Sequence, residues 1–429
     1  MLAHTLCKQR HCITGLLRTM GKQHEDWSAH FRLYASKIDT QALFHPIIKG
    51  AIELLDKSEP IVLAIDDSQL PKTGRKILES GYYRDPLSPP FHVNLIRALK
   101  FVQISIAVPE PQNPKRARMI PVAFKIIPKL KKPPKDATEE QISNYELLKE
   151  QNTVAVHSIS LLKELREFID KHVANGKKRS LVLCGDGHYT VENLLQNLPH
   201  DTSYLGRTRS DINICEPAKP SLAKRKGRKP SYGKKLLTPE ELRKSDAIPW
   251  QELYIDKNCG QTRVRYKLIQ KAKWHKAGEK QLLQIVVIAP LRYKKKKNGP
   301  WSYTKPAYLL CTDPHMSVEK LIQTYLWRWD IEVNFKEQKQ IFGIAQAQVR
   351  RKHSVQNAPA VGVAAYAGLL LAYVRLRKEN KFILKFNPPK WYQRKPNTRP
   401  STAMLLEQIS CESNSRIFDK SYFSDFTLN

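Results

Sequence analysis

Apolar residues near the start of the chain recur at helical spacing and then change to the spacing of a strand. Ile47, Ile48, Ala51, Ile52 and Leu55 share one helical face, with Asp39 or Thr40 upstream as a possible cap. Residues up to about Ser58 therefore read as helical. Pro60 then introduces the continuous apolar run Ile61-Val62-Leu63-Ala64-Ile65, which ends abruptly on Asp66-Asp67-Ser68. An unbroken run of that length suits a strand buried on both faces. Two further strands are predicted at Phe101 to Val108 and Met119 to Ile127. Lys129 to Lys135 is a Lys/Pro linker, and a helical stretch follows from about Glu139 to Ala174. Leu181-Val182-Leu183 is another short buried strand, ending on Gly185-Asp186-Gly187. A short helix from about Val191 to Leu198 leads to a strand near Ser203 to Arg207.

The pattern changes from about Asp211. Lys219 to Lys235 is basic and contains Pro and Gly, so an exposed loop is expected. Arg263 to Ile269 and Leu282 to Ala289 read as strands, the lysine run Lys294 to Lys297 as a hairpin tip, and Tyr308-Leu309-Leu310 as a closing strand. A long helix begins after Ser317, and the tail from about Asn387 shows no evident structure. The divisions expected are a helical N-terminal region at 1–58, a core at 59–210 resumed at 311–380, a β-rich insertion at 211–310 and a basic tail at 381–429.

Charge narrows the partners. The chain has 429 residues, with 73 Lys plus Arg against 40 Asp plus Glu, a formal net charge of +33. Such an excess repels itself in isolation and becomes useful beside a polyanion, where each phosphate contact releases counterions. Nucleic acid is the first candidate partner; an anionic membrane would need an anchor that the sequence does not display. The most apolar run, Pro359 to Val374, is shorter than the ~20 residues of a spanning helix and reads as a buried, closely packed helix. The seven Cys form no C-x-x-C pair, and Cys7, His11 and Cys12 lack a second ligand pair at zinc-finger spacing. With no apolar signal core at the N-terminus, a cytoplasmic protein with reduced thiols is expected.

Candidate chemistry lies on the helix after Ser317. At ~100° per residue, Tyr325, Arg328, Glu332 and Lys339 fall within an arc of ~60°, beside an apolar stripe of Ile322, Leu326, Trp329 and Val333 expected to press on a sheet. A surface salt-bridge ladder would account for Arg328 and Glu332 alone. Asp66 and Asp186 each follow a buried strand, at the sheet edge where open α/β sheets bind ligands. Together with Glu332 they would form a cluster of three acids. Hard oxygen donors of this kind select Mg²⁺ or Mn²⁺, and two such ions can drive an in-line displacement at phosphorus.

These residues resemble a known family. Tyr325, Arg328, Glu332 and Lys339 fill the Y-(2)-R-(3)-E-(6)-K signature of bacterial insertion-sequence transposases. Ile65-Asp66-Asp67-Ser68 with Pro71-Lys72 and Gly74 is similar to their first-Asp motif, and Gly185-Asp186-Gly187-His188-Tyr189 to their second. Ser68 stands where many relatives have Thr. The resemblance spans roughly residues 10 to 375. It implies an α/β fold with an RNase H-like core, a mixed sheet flanked by helices, interrupted by a β-rich insertion. It also implies a DDE transposase that cleaves transposon ends in double-stranded DNA and transfers the 3′-OH to target DNA, working as a homodimer in the DNA complex.

In that resemblance Asp66, Asp186 and Glu332 are the catalytic acids and bind two Mg²⁺ or Mn²⁺ ions. Either member of the Asp66-Asp67 pair could be the ligand; the family pattern favours the first. Tyr325, Arg328, Lys339, Arg207 and Lys294, Lys295, Lys296 and Lys297 are expected to serve DNA. His188 is expected to be structural, and Trp274 and Trp301 to be core packing. Two other functions remain open at this point: a domesticated, non-cleaving DNA-binding protein, and a structure-selective nuclease on the same fold.

Overall fold

A computed structural model of the chain describes residues 1–89, 91–218, 230–257, 260–296, 298–382 and 399–418. Its elements begin with helices α1 (Leu2–Leu6), α2 (Ile13–Thr19), α3 (Ser28–Ala35) and α4 (His45–Glu53), then strands β1 (Ile61–Pro71), β2 (Gly81–Arg84), β3 (Leu95–Glu110) and β4 (Asn113–Ile127). Helices α5 (Glu139–Gln151) and α6 (Val154–His172) lead to β5 (Leu181–Gly185), α7 (Glu192–Gln196) and β6 (Thr202–Arg207). The second half comprises β7 (Ile214–Pro217), β8 (Tyr232–Lys235), α8 (Pro239–Lys244), β9 (Gln251–Lys257), β10 (Gly260–Trp274), β11 (Leu283–Ile288), β12 (Arg292–Lys294), β13 (Trp301–Tyr303) and β14 (Ala307–Cys311). It closes with α9 (Val318–Trp327), α10 (Asp330–Gln340), α11 (Lys352–Lys378) and α12 (Thr402–Phe418).

The strands that position the acids run in the order β4-β3-β1-β5-β6. β3 is antiparallel to both its neighbours, β4 and β1, and β1, β5 and β6 are mutually parallel. This mixed sheet, flanked by helices, is an RNase H-like core. Its centre is apolar because β1 and β5 are: Ile61, Leu63, Ala64, Ile65, Leu181, Leu183 and Cys184 are all fully buried. The parallel register of β1 and β5, with Ala64 opposite Cys184, puts Asp66 and Asp186 at the same level where β5 ends and β1 continues to Pro71. Most strands of 211–310 continue this sheet rather than leaving it. β14 pairs with β6, and β11, β10, β7 and β8 extend the sheet outward from it. The hairpin β12–β13 stands apart and places Lys295 and Lys296 at an exposed turn, while Lys297 lies outside the described residues.

Several elements differ from the sequence expectation. The stretch 139–174 is two helices, because Asn152 and Thr153 break it. The Asn152 amide donates to the Pro128 carbonyl at 2.6 Å, and Thr153 Oγ1 caps α6 by accepting from the Val156 amide. Residues 219–229 of the basic tract lie outside the described residues, and Tyr232–Lys235 form a strand rather than a loop. Within the tail, Thr402–Phe418 form a helix. The run Pro359 to Val374 lies within α11, the one helix among the described residues with the length and apolarity to cross a membrane. Two thirds (67%) of its most apolar window is buried in the protein.

The long helix expected after Ser317 is also broken. Arg328, Trp329, Ile331 and Glu332 donate backbone hydrogen bonds three residues back, a tight turn that joins α9 to α10. The turn rotates Trp329 out of the predicted apolar stripe, leaving it 63% exposed. The face of α10 against the sheet is Ile331, Asn334, Phe335 and Gln338 instead.

Candidate active site

Asp66 lies within β1, directly after its buried run Ile61–Ile65, and its Oδ1 accepts the backbone amide of Asp67 at 2.8 Å. Asp186 follows β5; its Oδ1 accepts the His188 amide at 2.9 Å, closing a tight turn. Glu332 occupies the first turn of α10. Arg328, in the turn before α10, joins strand and helix. Its Nη1 lies 3.4 Å from Asp66 Oδ2, and its Nη2 donates to Glu332 Oε1 at 3.0 Å. Asp66 and Glu332 thus share one guanidinium. Asp186 lies near enough for its charge to act on Asp66.

The electrostatics are those of crowded carboxylates. Asp66 is pushed up to about 7, first by burial and then by the negative charges of Asp186 and Asp67. The Asp67 amide and Arg328 oppose the shift. Tyr189 is raised well above its ordinary range by burial and by the charges of Asp67, Asp66 and Asp186. Arg328 is held above its ordinary value by Tyr325, Asp66 and Glu332 against the cost of burial.

The two aspartates of the first motif have different surroundings. Asp67 Oδ2 pairs with Lys100 Nζ at 3.1 Å, and its Oδ1 accepts the Tyr189 hydroxyl at 3.1 Å. Asp67 already has a protein cation and a protein donor; Asp66 faces Arg328 and the other acids.

The remaining candidates fall into two groups. Tyr325, Arg328 and Lys339 belong to the acid site. Arg328 lies 5.5 Å over the Tyr325 ring, and the buried Tyr325 hydroxyl and Arg328 Nε have no partner among the described residues. Lys339 Nζ donates to Ser68 Oγ at 2.6 Å, beside the aspartates. Arg207 is exposed at the end of β6, close enough to act on Tyr325. Its carbonyl accepts the Thr190 hydroxyl. Lys294, Lys295 and Lys296 are instead on the β12–β13 hairpin, where Lys294 Nζ stands 4.8 Å over the Trp301 ring. His188 is exposed and bonded through its backbone. Trp274 is buried as expected. Trp301 is not a core residue: it is 51% exposed, with Arg292 3.9 Å over its ring, because a two-stranded ribbon offers no interior.

Residues not singled out in the sequence hold Glu332 in place. Asp330 Oδ2 accepts the Met119 amide at 2.9 Å, Asn334 donates to the Met119 carbonyl at 2.8 Å, and Gln338 donates to Gln103 at 2.9 Å. Arg399 Nη2 donates to Asp330 Oδ1 at 2.7 Å, and Thr402 donates to Glu337 at 2.6 Å, so the C-terminal segment grips the same helix. The spacing 330, 334, 338 is one helical face, and a polar face at that interval was the available signal.

The donor set fits a divalent cation. Asp66, Asp186 and Glu332 offer hard oxygens, and the upward pressure on Asp66 is what a nearby cation relieves. As placed, no three His, Cys, Asp or Glu side chains among the described residues converge closely enough to chelate an ion, and Arg328 spans Asp66 and Glu332. Ion binding therefore requires the guanidinium to give way.

A sheet of this order, with acids midway along β1, just after β5 and on a helix beside them, defines an RNase H-like nuclease. A family model described as "DDE superfamily endonuclease" matches residues 2–280, and the chain belongs to that family. The matched residues include Asp66 and Asp186 and stop before Glu332. DDE superfamily nucleases act on DNA and generally use divalent metal ions. No curated protein matches the chain.

Proposed function

We propose that the chain is a transposase of the bacterial insertion-sequence kind. It cuts double-stranded DNA at transposon ends and transfers the freed 3′-hydroxyl into target DNA. Asp66, Asp186 and Glu332 would hold two Mg²⁺ or Mn²⁺ ions, as a cytoplasmic homodimer assembles on the DNA. When bound, such ions activate the attacking oxygen and stabilise the leaving oxygen of an in-line displacement.

The observation that carries this reading is the guanidinium of Arg328 bridging Asp66 and Glu332, with Asp66 and Arg328 262 residues apart in sequence. In the free protein Arg328 offsets the repulsion between carboxylates. On DNA entry its planar fork suits a phosphate, and its unpartnered Nε and the Tyr325 hydroxyl suit further phosphate oxygens. Lys339 holds Ser68 and keeps a positive charge beside the acids. Arg207 at the end of β6 and the lysines of the separate β12–β13 hairpin serve the DNA backbone.

The test is joining of a 3′-hydroxyl end to a target duplex in Mg²⁺ or Mn²⁺. A product longer than either substrate, absent in EDTA, supports transposition. Cleavage without joining reduces the reading to a nuclease.

A further inference from the structure

The hairpin formed by β2 and β3 ends in a loop whose polarity is inverted. The Asp85 and Ser88 side chains turn inward to fix the backbone, while His92 and Asn94 are exposed. Asp85 Oδ1 accepts the Leu87 amide at 3.0 Å, the Asp85 amide donates to the Asn94 carbonyl at 2.8 Å, and Ser88 Oγ accepts the Asn94 amide at 3.0 Å. Its apolar groups turn outward. Leu87 is 90% and Phe91 91% exposed, with Tyr82, Val93 and Leu95 more than half exposed behind them. Isolated exposed apolar residues are ordinary; an apolar tip on a polar-braced loop marks a contact.

What lies behind the tip indicates the partner. Arg75, Lys76 and Arg84 are exposed at its base, Arg97 stands 5.9 Å over the Tyr82 ring, and Lys129 4.8 Å over the Tyr83 ring. Asp85 and Glu79 are the acids nearby. The first has its Oδ1 turned into the loop, and the second is bonded to Gln356. An apolar point with a basic collar fits a polyanion with an apolar interior. A second copy of the chain, with the same +33 charge, meets repulsion there.

The hairpin is also in register with the acids. Asp66 pairs with Gln103 on β3, and Leu95 lies eight residues further along that strand. At ~3.3 Å per residue this is a reach of ~26 Å, the length of about eight stacked base pairs at ~3.4 Å each. DNA with a phosphate at Asp66 and running along this edge reaches the loop.

We propose that Leu87 and Phe91 form a wedge that enters between stacked bases of duplex DNA, about eight base pairs from the reacting phosphate. The inference rests on the DNA-processing reading above, and it concerns how the duplex is bent and held rather than how it is cut. Apolar side chains inserted at a base step unstack it and kink the duplex, which brings more backbone against the basic collar.

The experiment measures binding of the full chain, without divalent metal, to a perfect duplex and to the same duplex with one mismatched, easily opened pair. Wild type should bind the mismatched duplex roughly tenfold more tightly, since part of the unstacking cost is already met. The double variant Leu87→Ser/Phe91→Ser should lose that preference. Its salt dependence should flatten slightly but persist, because every cation remains while the unkinked duplex brings less backbone against the collar. Phe91→Trp should retain the preference.

Equal binding of both duplexes by wild type, or an undiminished preference in the double variant, overturns the wedge. So does loss of binding to phosphatidylglycerol vesicles with DNA preference intact, which assigns the tip to a lipid surface. A change from dimer to monomer without DNA, again with preference intact, assigns it to a second copy. Failure of the cleavage reading would appear instead as undiminished cleavage in Asp186→Asn, which leaves these binding outcomes untouched.

Discussion

Lys100 Nζ lies 3.1 Å from Asp67 Oδ2, so the second aspartate of the Asp66-Asp67 pair is neutralised by the neighbouring strand while the first is not. Gln69 and Lys100 are the paired residues of β1 and β3, and the long lysine side chain reaches back along the strand. Tyr189 completes the surroundings of Asp67 through its hydroxyl. We therefore propose Asp66 as the metal ligand of the pair. Asp66→Asn should abolish cleavage, whereas Asp67→Asn should keep it and cost about 1 kcal/mol of stability as Lys100 loses its partner. Cleavage rates and urea midpoints of the two variants decide it. Lost cleavage in Asp67→Asn alone would reverse the assignment.

Arg328 competes with cations for Asp66 and Glu332. Removing it should leave Mn²⁺ binding intact or tighter, while DNA binding or strand processing weakens. Titration of Arg328→Ala followed by the electron paramagnetic resonance of free Mn²⁺ measures the first, and anisotropy of labelled duplex the second. Loss of Mn²⁺ binding in this variant would show that the guanidinium builds the site rather than guards it.

The strands carrying Asp66 and Asp186 were legible from the apolar runs Ile61–Ile65 and Leu181–Leu183, because burial on both faces leaves no other pattern. The continuation of β1 through Asp66 to Pro71 was not, because its polar second half is held by pairing with β3. The pairing of Arg328 with Glu332 was legible from spacing alone. The break between α9 and α10 was not, because it depends on Asp330 reaching the Met119 amide and Arg399 from distant parts of the chain. Trp329 was placed in the core by a periodicity that the tight turn interrupts. Strands β2 and β7 to β9 went unread because alternation in a four-residue strand such as Gly81–Arg84 is too brief to register, and the polar Gln251–Lys257 is held by its neighbour β10. Helix α12 was hidden in a basic tail; its anchors are tertiary.

Arg399 is a positioning residue for Glu332. It holds Asp330, two residues before the glutamate, in a largely buried pair. Arg399→Ala should destabilise the protein by about 3 kcal/mol, since an acid is left buried with one donor. It should also slow cleavage more than it weakens DNA binding. Arg399→Lys should recover part of both. Unchanged urea midpoints would remove this role.

Acid should loosen the N-terminal helices. His4 is pushed down to about 3, first by burial and then by His11, whose ring is 5.9 Å away, and by the N-terminal amine. Tyr34 Oη stands 3.4 Å from its Nε2. The folded protein keeps His4 neutral while the unfolded chain protonates it near 6.5. The stability contributed by neutral His4 is thus full above that pH and lost as pH falls toward 3, at up to ~1.4 kcal/mol per unit. Urea midpoints of wild type should drop between pH 7 and 5 by more than those of His4→Leu. Equal drops would place the acid sensitivity elsewhere.

The central claim is that Asp66, Asp186 and Glu332 act together through divalent metal on DNA. The most direct measurement is cleavage of duplex DNA in Mg²⁺ by Asp66→Asn, Asp186→Asn and Glu332→Gln, with DNA affinity determined alongside. Each substitution removes a charge while nearly preserving shape. All three variants should lose cleavage, by at least about a hundredfold if the acid makes a transition-state contact worth ~2.7 kcal/mol or more, and all three should still bind DNA through the basic surface. Undiminished cleavage by any one of them would contradict the shared site.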